Sequence, residues 1–225
     1  MSVDRNVLIV DDSQNMEQEI KQYKSIYKKM KESGRYKDLD YNLNLFYEKD
    51  YYKAIKILKG KEIIDIVLID YDITSVNDKT GEDLVKEIRS SINKHCKIIF
   101  YTMGELSTVF PDRKEMIELF NQGIFKFLSK DQKSINEFEY GKSTLQVRVE
   151  AMIEAIENID YVQIALEKYF VKYLEIIEDE EILVDGNFYS IQDLISAIRL
   201  DKEAGKIYKR NLANSLIIES LESGK

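Results

Sequence analysis

The sequence predicts an α/β fold over residues 1–135, a doubly wound five-stranded parallel sheet, followed by a mainly α-helical region over 136–225. Three observations carry this expectation. Five short apolar runs alternate with segments of helical periodicity. The runs are continuous rather than alternating, as strands buried on both faces must be. After about Lys133 such runs largely cease, and apolar residues recur every three or four positions instead.

The first run is Val7-Leu8-Ile9-Val10, ending at Asp11-Asp12, and a long polar helix pattern follows from Ser13 to about Ser33. The second run, Leu43 to Tyr47, is weaker and precedes a short helix from Tyr52 to Leu58. The third, Ile66-Val67-Leu68-Ile69, ends at Asp70, with a helix expected from Gly81 to about Ile92. The fourth, Ile98-Ile99-Phe100-Tyr101, ends at Thr102 and is followed by a helix from Arg113 to Asn121. The fifth runs from Ile124 to Leu128 and ends near Lys130. Alternating strands and helices imply parallel pairing through right-handed crossovers, the flavodoxin-like arrangement, which collects ligands at the carboxyl ends of its strands.

From Leu145 to Ile177 the apolar positions mark one or two amphipathic helices, with room for a break near Asn158 to Tyr161. The acidic stretch Glu178-Asp179-Glu180-Glu181 should end this region. Asp185-Gly186 signals the turn of a small hairpin within Ile182 to Tyr189. Ser190 reads as an N-cap with Asp193 three positions on, and a last helix is expected from about Lys209 to Leu221.

Composition narrows the function classes. The chain has 225 residues, 44% hydrophobic and 33% charged, which fits a globular protein with a substantial core. A single cysteine, Cys96, excludes an internal disulfide, and with one histidine, His95, it excludes zinc sites built from those ligands. These two neighbours on a strand would point to opposite faces, which disfavours Cys–His nucleophilic chemistry. The 15 tyrosines read as core and surface filling rather than a base-stacking platform. No apolar run suits a membrane span or a secretory signal, so the expected location is the cytoplasm, with no membrane partner. A net charge of −8 disfavours binding to phosphate backbones. From Leu145 to Lys225 there are 9 Lys and Arg against 16 Asp and Glu, a net of −7 and a poor footprint for DNA.

The polar residues at the strand ends carry the chemistry. In a doubly wound sheet Asp11, Asp12, Asp70, Thr102 and Lys130 converge on one crevice. Crowded carboxylates repel one another, and a divalent cation removes that cost. Mg²⁺ needs only one or two carboxylates plus phosphate and water. One carboxylate then remains free to act as a nucleophile toward phosphorus, with Lys130 and the Thr102 hydroxyl placed to hold phosphoryl oxygens.

This pattern resembles the receiver domains of two-component response regulators. Val7-Leu8-Ile9-Val10-Asp11-Asp12-Ser13 is similar to the family's first strand and acidic pair, and Asp65-Ile66-Val67-Leu68-Ile69-Asp70 to its phosphoacceptor strand. Lys97-Ile98-Ile99-Phe100-Tyr101-Thr102 resembles the strand carrying the switch hydroxyl. Gly123-Ile124-Phe125-Lys126-Phe127-Leu128-Ser129-Lys130 resembles the fifth strand, with Phe127 where the switch aromatic sits. The resemblance implies that Asp70 accepts a phosphoryl group from a histidine kinase or phosphotransfer protein. It implies Mg²⁺ on Asp11, Asp12, Asp70 and the backbone carbonyl of Asp72, and switching through Thr102 and Phe127. It implies no catalysis beyond acquiring and losing that group.

The sequence departs from the family at Thr74 and Asp131, where prolines are usual, and in a long segment between Asp70 and Gly81. It therefore resembles an atypical receiver with a helical extension, of the kind found in bacterial signalling and phage-defence operons. Output is expected through a protein effector or self-association, or through service as a phosphate sink in a relay. Three alternatives stay open: an unphosphorylated pseudo-receiver scaffold, a DNA-binding transcription regulator, and a phosphatase using Asp70 and Asp72 as an Asp-x-Asp pair.

Overall fold

The computed structural model describes residues 3–32, 34–73, 79–102, 109–110, 112–130, 141–177 and 180–223. Thr74, Asp131 and the acidic pair Glu178-Asp179 lie outside these residues. The chain divides into two compact units, one of Met1–Arg89 with Cys96–Ile159, the other of Ser90–His95 with Asp160–Lys225.

The first unit is built on five parallel strands, β1 (Val3–Val10), β2 (Tyr41–Glu48), β3 (Ile66–Asp70), β4 (Lys97–Thr102) and β5 (Ile124–Ser129). Their order is β2-β1-β3-β4-β5. This is the flavodoxin-like doubly wound sheet. The chain winds from β1 outward to β2, then returns to place β3 on the other side of β1. That reversal opens a crevice at the carboxyl ends of β1 and β3. All five residues of β3 are buried, which is why the run reads as uninterrupted apolar sequence before Asp70. At the edge, β2 alternates buried Tyr41 and Leu43 with exposed Asn42 and Asn44, which accounts for its weaker signal.

The helices begin where local chemistry satisfies their first amide groups. α1 (Met16–Glu32) carries Glu17 and Glu19 in its first turn and Lys29 and Lys31 in its last, complementing the helix dipole. It starts three residues later than the sequence suggests, because the Ser13 amide donates to Asp11 Oδ1 at 2.8 Å instead of entering the helix. α2 (Tyr51–Lys59) is capped by Asp50. α3 (Gly81–Glu87) opens with a capping box between Thr80 and Asp83 and passes into a π turn over Ile88–Ile92. α4 (Arg113–Asn121) is capped by Asp112. α5 (Thr144–Glu157) is capped by Ser143 and packs against α1 and the sheet, burying Val149, Met152, Ile153 and Ile156.

The second unit holds α6 (Tyr161–Ile177), the strands β6 (Glu181–Val184) and β7 (Asn187–Ser190), α7 (Ile191–Arg199) and α8 (Glu203–Ser223). The break between α5 and α6 falls within the expected Asn158–Tyr161 window. β6 and β7 pair as an antiparallel hairpin whose turn residues, Asp185 and Gly186, have φ of 50° and 80°. Both lie in the left-handed region that a two-residue turn demands. Ser190 caps α7, its hydroxyl accepting from the Asp193 amide. Phe170, Val184, Ile191, Leu194 and Ile198 form the core. α8 begins six residues before the expected Lys209.

Gly205 lies where α8 meets α7. A Cβ there would stand 2.5 Å from the Ala197 carbonyl oxygen. Gly205→Ala is therefore expected to destabilise this unit by about 1–3 kcal/mol. In an open helix the same change would stabilise by about 1 kcal/mol. Circular dichroism melts of the two proteins distinguish these outcomes, and a raised midpoint would refute the close packing. Among the described residues, no helix is long and apolar enough to cross a membrane.

Candidate functional site, an acidic cluster at the sheet switch point

Asp11 and Asp12 follow β1 and Asp70 ends β3, so the parallel register brings all three to the same edge of the sheet. Their carboxylates each offer an oxygen within 4.8 Å of the others. Asp11 and Asp70 are buried, while Asp12 is half-buried. A groove of about 590 Å³ runs beside Asp12, lined also by Gln14, Glu17, Tyr47 and Lys49.

Lys130, just beyond β5, turns its ammonium into this cluster. It donates a short hydrogen bond to Asp70 Oδ2 and lies 3.3 Å from Asp11 Oδ2. Its backbone amide donates to the Thr102 carbonyl at 2.6 Å, which ties the lysine to the end of β4. The Asp72 amide donates to Asp70 Oδ1 at 3.4 Å, while the Asp72 side chain is exposed. Burial strips water from the Asp70 carboxylate and holds its pKa above the usual range. The bond to Lys130 opposes that rise, and the neighbouring Asp11 charge adds to it.

Thr102 is fully buried at the end of β4, one residue beyond Tyr101, which is paired in register with Asp70. Phe127 does not join the acidic cluster. It packs in a group of rings with Phe100, Phe110 and Phe120, at centroid distances of 5.4, 5.6 and 6.2 Å. The crevice thus gathers Asp11, Asp12, Asp70 and Lys130, with Thr102 at the adjoining strand end and Phe127 among the aromatic rings.

Sequence reasoning missed four residues beneath the cluster. The Tyr101 hydroxyl donates a short hydrogen bond to Asp11 Oδ2. Its ring lies 4.6 Å from both Lys130 Nζ and Arg148 Cζ, measured to the centroid. Complete burial and the Asp11 charge push the Tyr101 pKa well up, so the phenol stays a donor. Arg148 of α5 is buried and donates to the Tyr23 hydroxyl at 2.6 Å and to Glu19 Oε2 at 3.0 Å, both on α1. The only sequence signals were a phenol inside an apolar run and an arginine between Val147 and Val149.

Three carboxylates supply hard oxygen donors of the kind that Mg²⁺ or Mn²⁺ takes, so the residues fit a divalent cation. Glycine is required beside Asp70. A Cβ at Gly81 would lie 2.1 Å from the Asp70 carbonyl oxygen, so α3 starts as close to β3 as a backbone can come.

No family model and no curated protein matches the chain. Among solved structures it is similar to the phosphorylated cyanobacterial phytochrome response regulator RcpA, at 12% identity and a TM-score of 0.46, over 69% of this chain and 96% of that one. It is similar to a response regulator receiver protein from Pseudomonas putida, at 19% identity and a TM-score of 0.43, over 61% and 96% of the two chains. It is also similar to RcsB, in a structure of two dimers bound to two parallel DNAs, at 13% identity and a TM-score of 0.44, over 96% and 93%.

Proposed function

We propose that the chain is a receiver that accepts a phosphoryl group on Asp70 and signals through protein contact or self-association. One observation carries the reading: Asp11, Asp12 and Asp70 converge within 4.8 Å at the switch point of a doubly wound sheet, with the Lys130 ammonium on Asp70. A carboxylate oxygen of Asp70 attacks phosphorus. The bond from phosphorus to the donor breaks, and the donor, a phosphohistidine of a kinase or phosphotransfer protein, leaves with its electron pair. Lys130 moves from Asp70 Oδ2 to a phosphoryl oxygen, and Thr102 donates its hydroxyl to another. Asp11, Asp12, Asp70 and the Asp72 carbonyl would hold Mg²⁺, which when bound neutralises charge on the phosphoryl oxygens. The Phe127 ring, seated among other aromatics, would relay the change toward β5 and its neighbours. No catalysis beyond gain and loss of this group is proposed, and the cytoplasm is the proposed location.

The output reading rests on the acidic balance after Leu145 and on exposed apolar side chains of α8, among them Leu216, Ile217, Ile218 and Leu221. Such a surface suits a protein partner better than DNA. The exposed Asp72 side chain gives no support to an acid/base partner for Asp70 in a phosphatase.

Incubation with acetyl phosphate and Mg²⁺, followed by intact-mass measurement, tests the reading. Wild type is expected to gain one hydroxylamine-sensitive phosphoryl group and Asp70→Asn none. An unlabelled wild type would leave the scaffold reading in its place. Size-exclusion chromatography with and without beryllofluoride then tests whether the signal is a change in self-association.

A further inference from the structure

We propose that Tyr101 is a positioning residue for the acidic cluster, its hydroxyl fixing the Asp11 carboxylate in the orientation that serves a divalent cation. The inference rests on Asp11 acting as a cation ligand.

Asp11 is held at both oxygens. Oδ1 accepts the Ser13 amide at 2.8 Å, and Oδ2 accepts the Tyr101 hydroxyl while facing Lys130 Nζ at 3.3 Å. A carboxylate tied in this way cannot rotate freely, so the ordering that ligation requires is already in place. Outer partners of metal ligands act through such orientation. The bond depends on the length of tyrosine. Tyr101 sits on β4 and Asp11 follows β1, with β3 between them. Adjacent strands lie about 4.8 Å apart, so the Tyr101 and Asp11 side chains together bridge roughly two strand spacings. A valine or leucine at this position would stop short.

The tyrosine is itself fixed. Arg148 Cζ and Lys130 Nζ each lie 4.6 Å from the ring centroid. Arg148 is anchored by Tyr23 and Glu19, and Tyr23 donates to Glu19 Oε2 at 3.2 Å. The ring therefore has a cation-bearing side chain of α5 against it, and the phenol stays aimed at Asp11. One residue thus touches both Asp11 and the Lys130 side chain, which in turn holds Asp70.

Tyr101→Phe removes only the hydroxyl and keeps a ring for both cations. Mn²⁺ binding to the full-length proteins, followed by electron paramagnetic resonance, is expected to weaken about tenfold or more in the variant. The Mg²⁺ concentration that half-saturates labelling by acetyl phosphate should rise by the same factor. The labelling rate at saturating Mg²⁺ should stay within about twofold, a split that a purely structural role would not produce. Should Tyr101→Phe melt below the assay temperature, Arg148→Lys loosens the ring while leaving every cluster residue in place, and weaker Mn²⁺ binding is again expected. Equal Mn²⁺ affinity in wild type and folded variant, even with a lowered melting point, would overturn the role of Tyr101 and leave the cation reading standing. Failure of wild type itself to bind Mn²⁺ would instead overturn the cation reading beneath it.

Discussion

Gly81→Ala is expected to destabilise the sheet unit by about 3 kcal/mol or more and to unseat β3, the strand that ends in Asp70. The added methyl would lie 2.1 Å from the Asp70 carbonyl oxygen, 3.1 Å from the Asp70 carbonyl carbon and 3.2 Å from Ile69 Cγ2. Two of these atoms are backbone, so no side-chain rotation relieves the clash. α3 cannot slide away cheaply. Its entry is fixed by the Thr80–Asp83 capping box, and the Gly81 amide donates to the Tyr71 carbonyl at 3.2 Å. Leu84 and Val85 anchor its first turns in the core. For a chain of this size each kcal/mol lowers the melting midpoint by roughly 2–4 °C, so a fall of about 6–12 °C is expected. A midpoint within a degree of wild type would show that β3 and α3 separate easily, contrary to the packing described.

Removing Lys130 has the second large effect, and its pH dependence identifies the cause. The ammonium contacts Asp70 and Asp11, both buried. In Lys130→Ala the two carboxylates lose that shared counter-charge. Breaking a sealed ion pair costs about 3–5 kcal/mol, and the slight exposure of this lysine reduces the expectation to about 2 kcal/mol at neutral pH. The Asp70 carboxyl is already held above its usual range, and without the lysine it rises further. A group with a raised folded pKa binds protons that the unfolded chain has released. Its stabilising contribution is complete below the ordinary value of 3.8 and is lost as pH rises through the folded value. The gap between wild type and Lys130→Ala should therefore be small near about pH 4 and widen toward about pH 7 in urea titrations. The double variant with Asp70→Asn should recover most of the loss. A gap that does not vary with pH would assign the effect to lost packing of the lysine stem instead.

The parts of the site that the sequence exposes are those that break its own pattern. Asp11, Asp12, Asp70 and Lys130 are charges set at the ends of apolar runs, where burial makes an ion conspicuous. Tyr101 follows the pattern rather than breaking it. In Ile98-Ile99-Phe100-Tyr101 it reads as one more large core residue, and only the register with Asp70 and the reach to Asp11 reveal its hydroxyl. Arg148 is hidden for a related reason, since an arginine on a helix is ordinarily a solvated residue. The limits of the helices show the same division. Caps at Asp50, Thr80, Asp112 and Ser190 sit in local sequence and the helices follow them closely. The membership of α5 does not. Its three-and-four spacing of apolar residues continues into α6, so only tertiary packing assigns α5 to the sheet and α6 to the second unit. The weak β2 signal has a plain cause: an edge strand buries one face, and its asparagines occupy the other.

The place of α5 in the chain has a consequence for synthesis. It is the last helix of the first unit, yet it packs against α1 and reaches β3, β4 and β5. A nascent chain that has delivered all five strands still lacks Arg148 beneath Tyr101 and the apolar face of Met152 and Ile156. The sheet is then complete in hydrogen bonds and open on one side. From Ser129, the end of β5, to Ile159, the end of the unit, is a stretch that takes roughly 1.5–6 seconds to add at about 5–20 residues per second, and closure must wait at least that long after the last strand. Through that interval the exposed face of β3 and β4 is the surface a chaperone would meet.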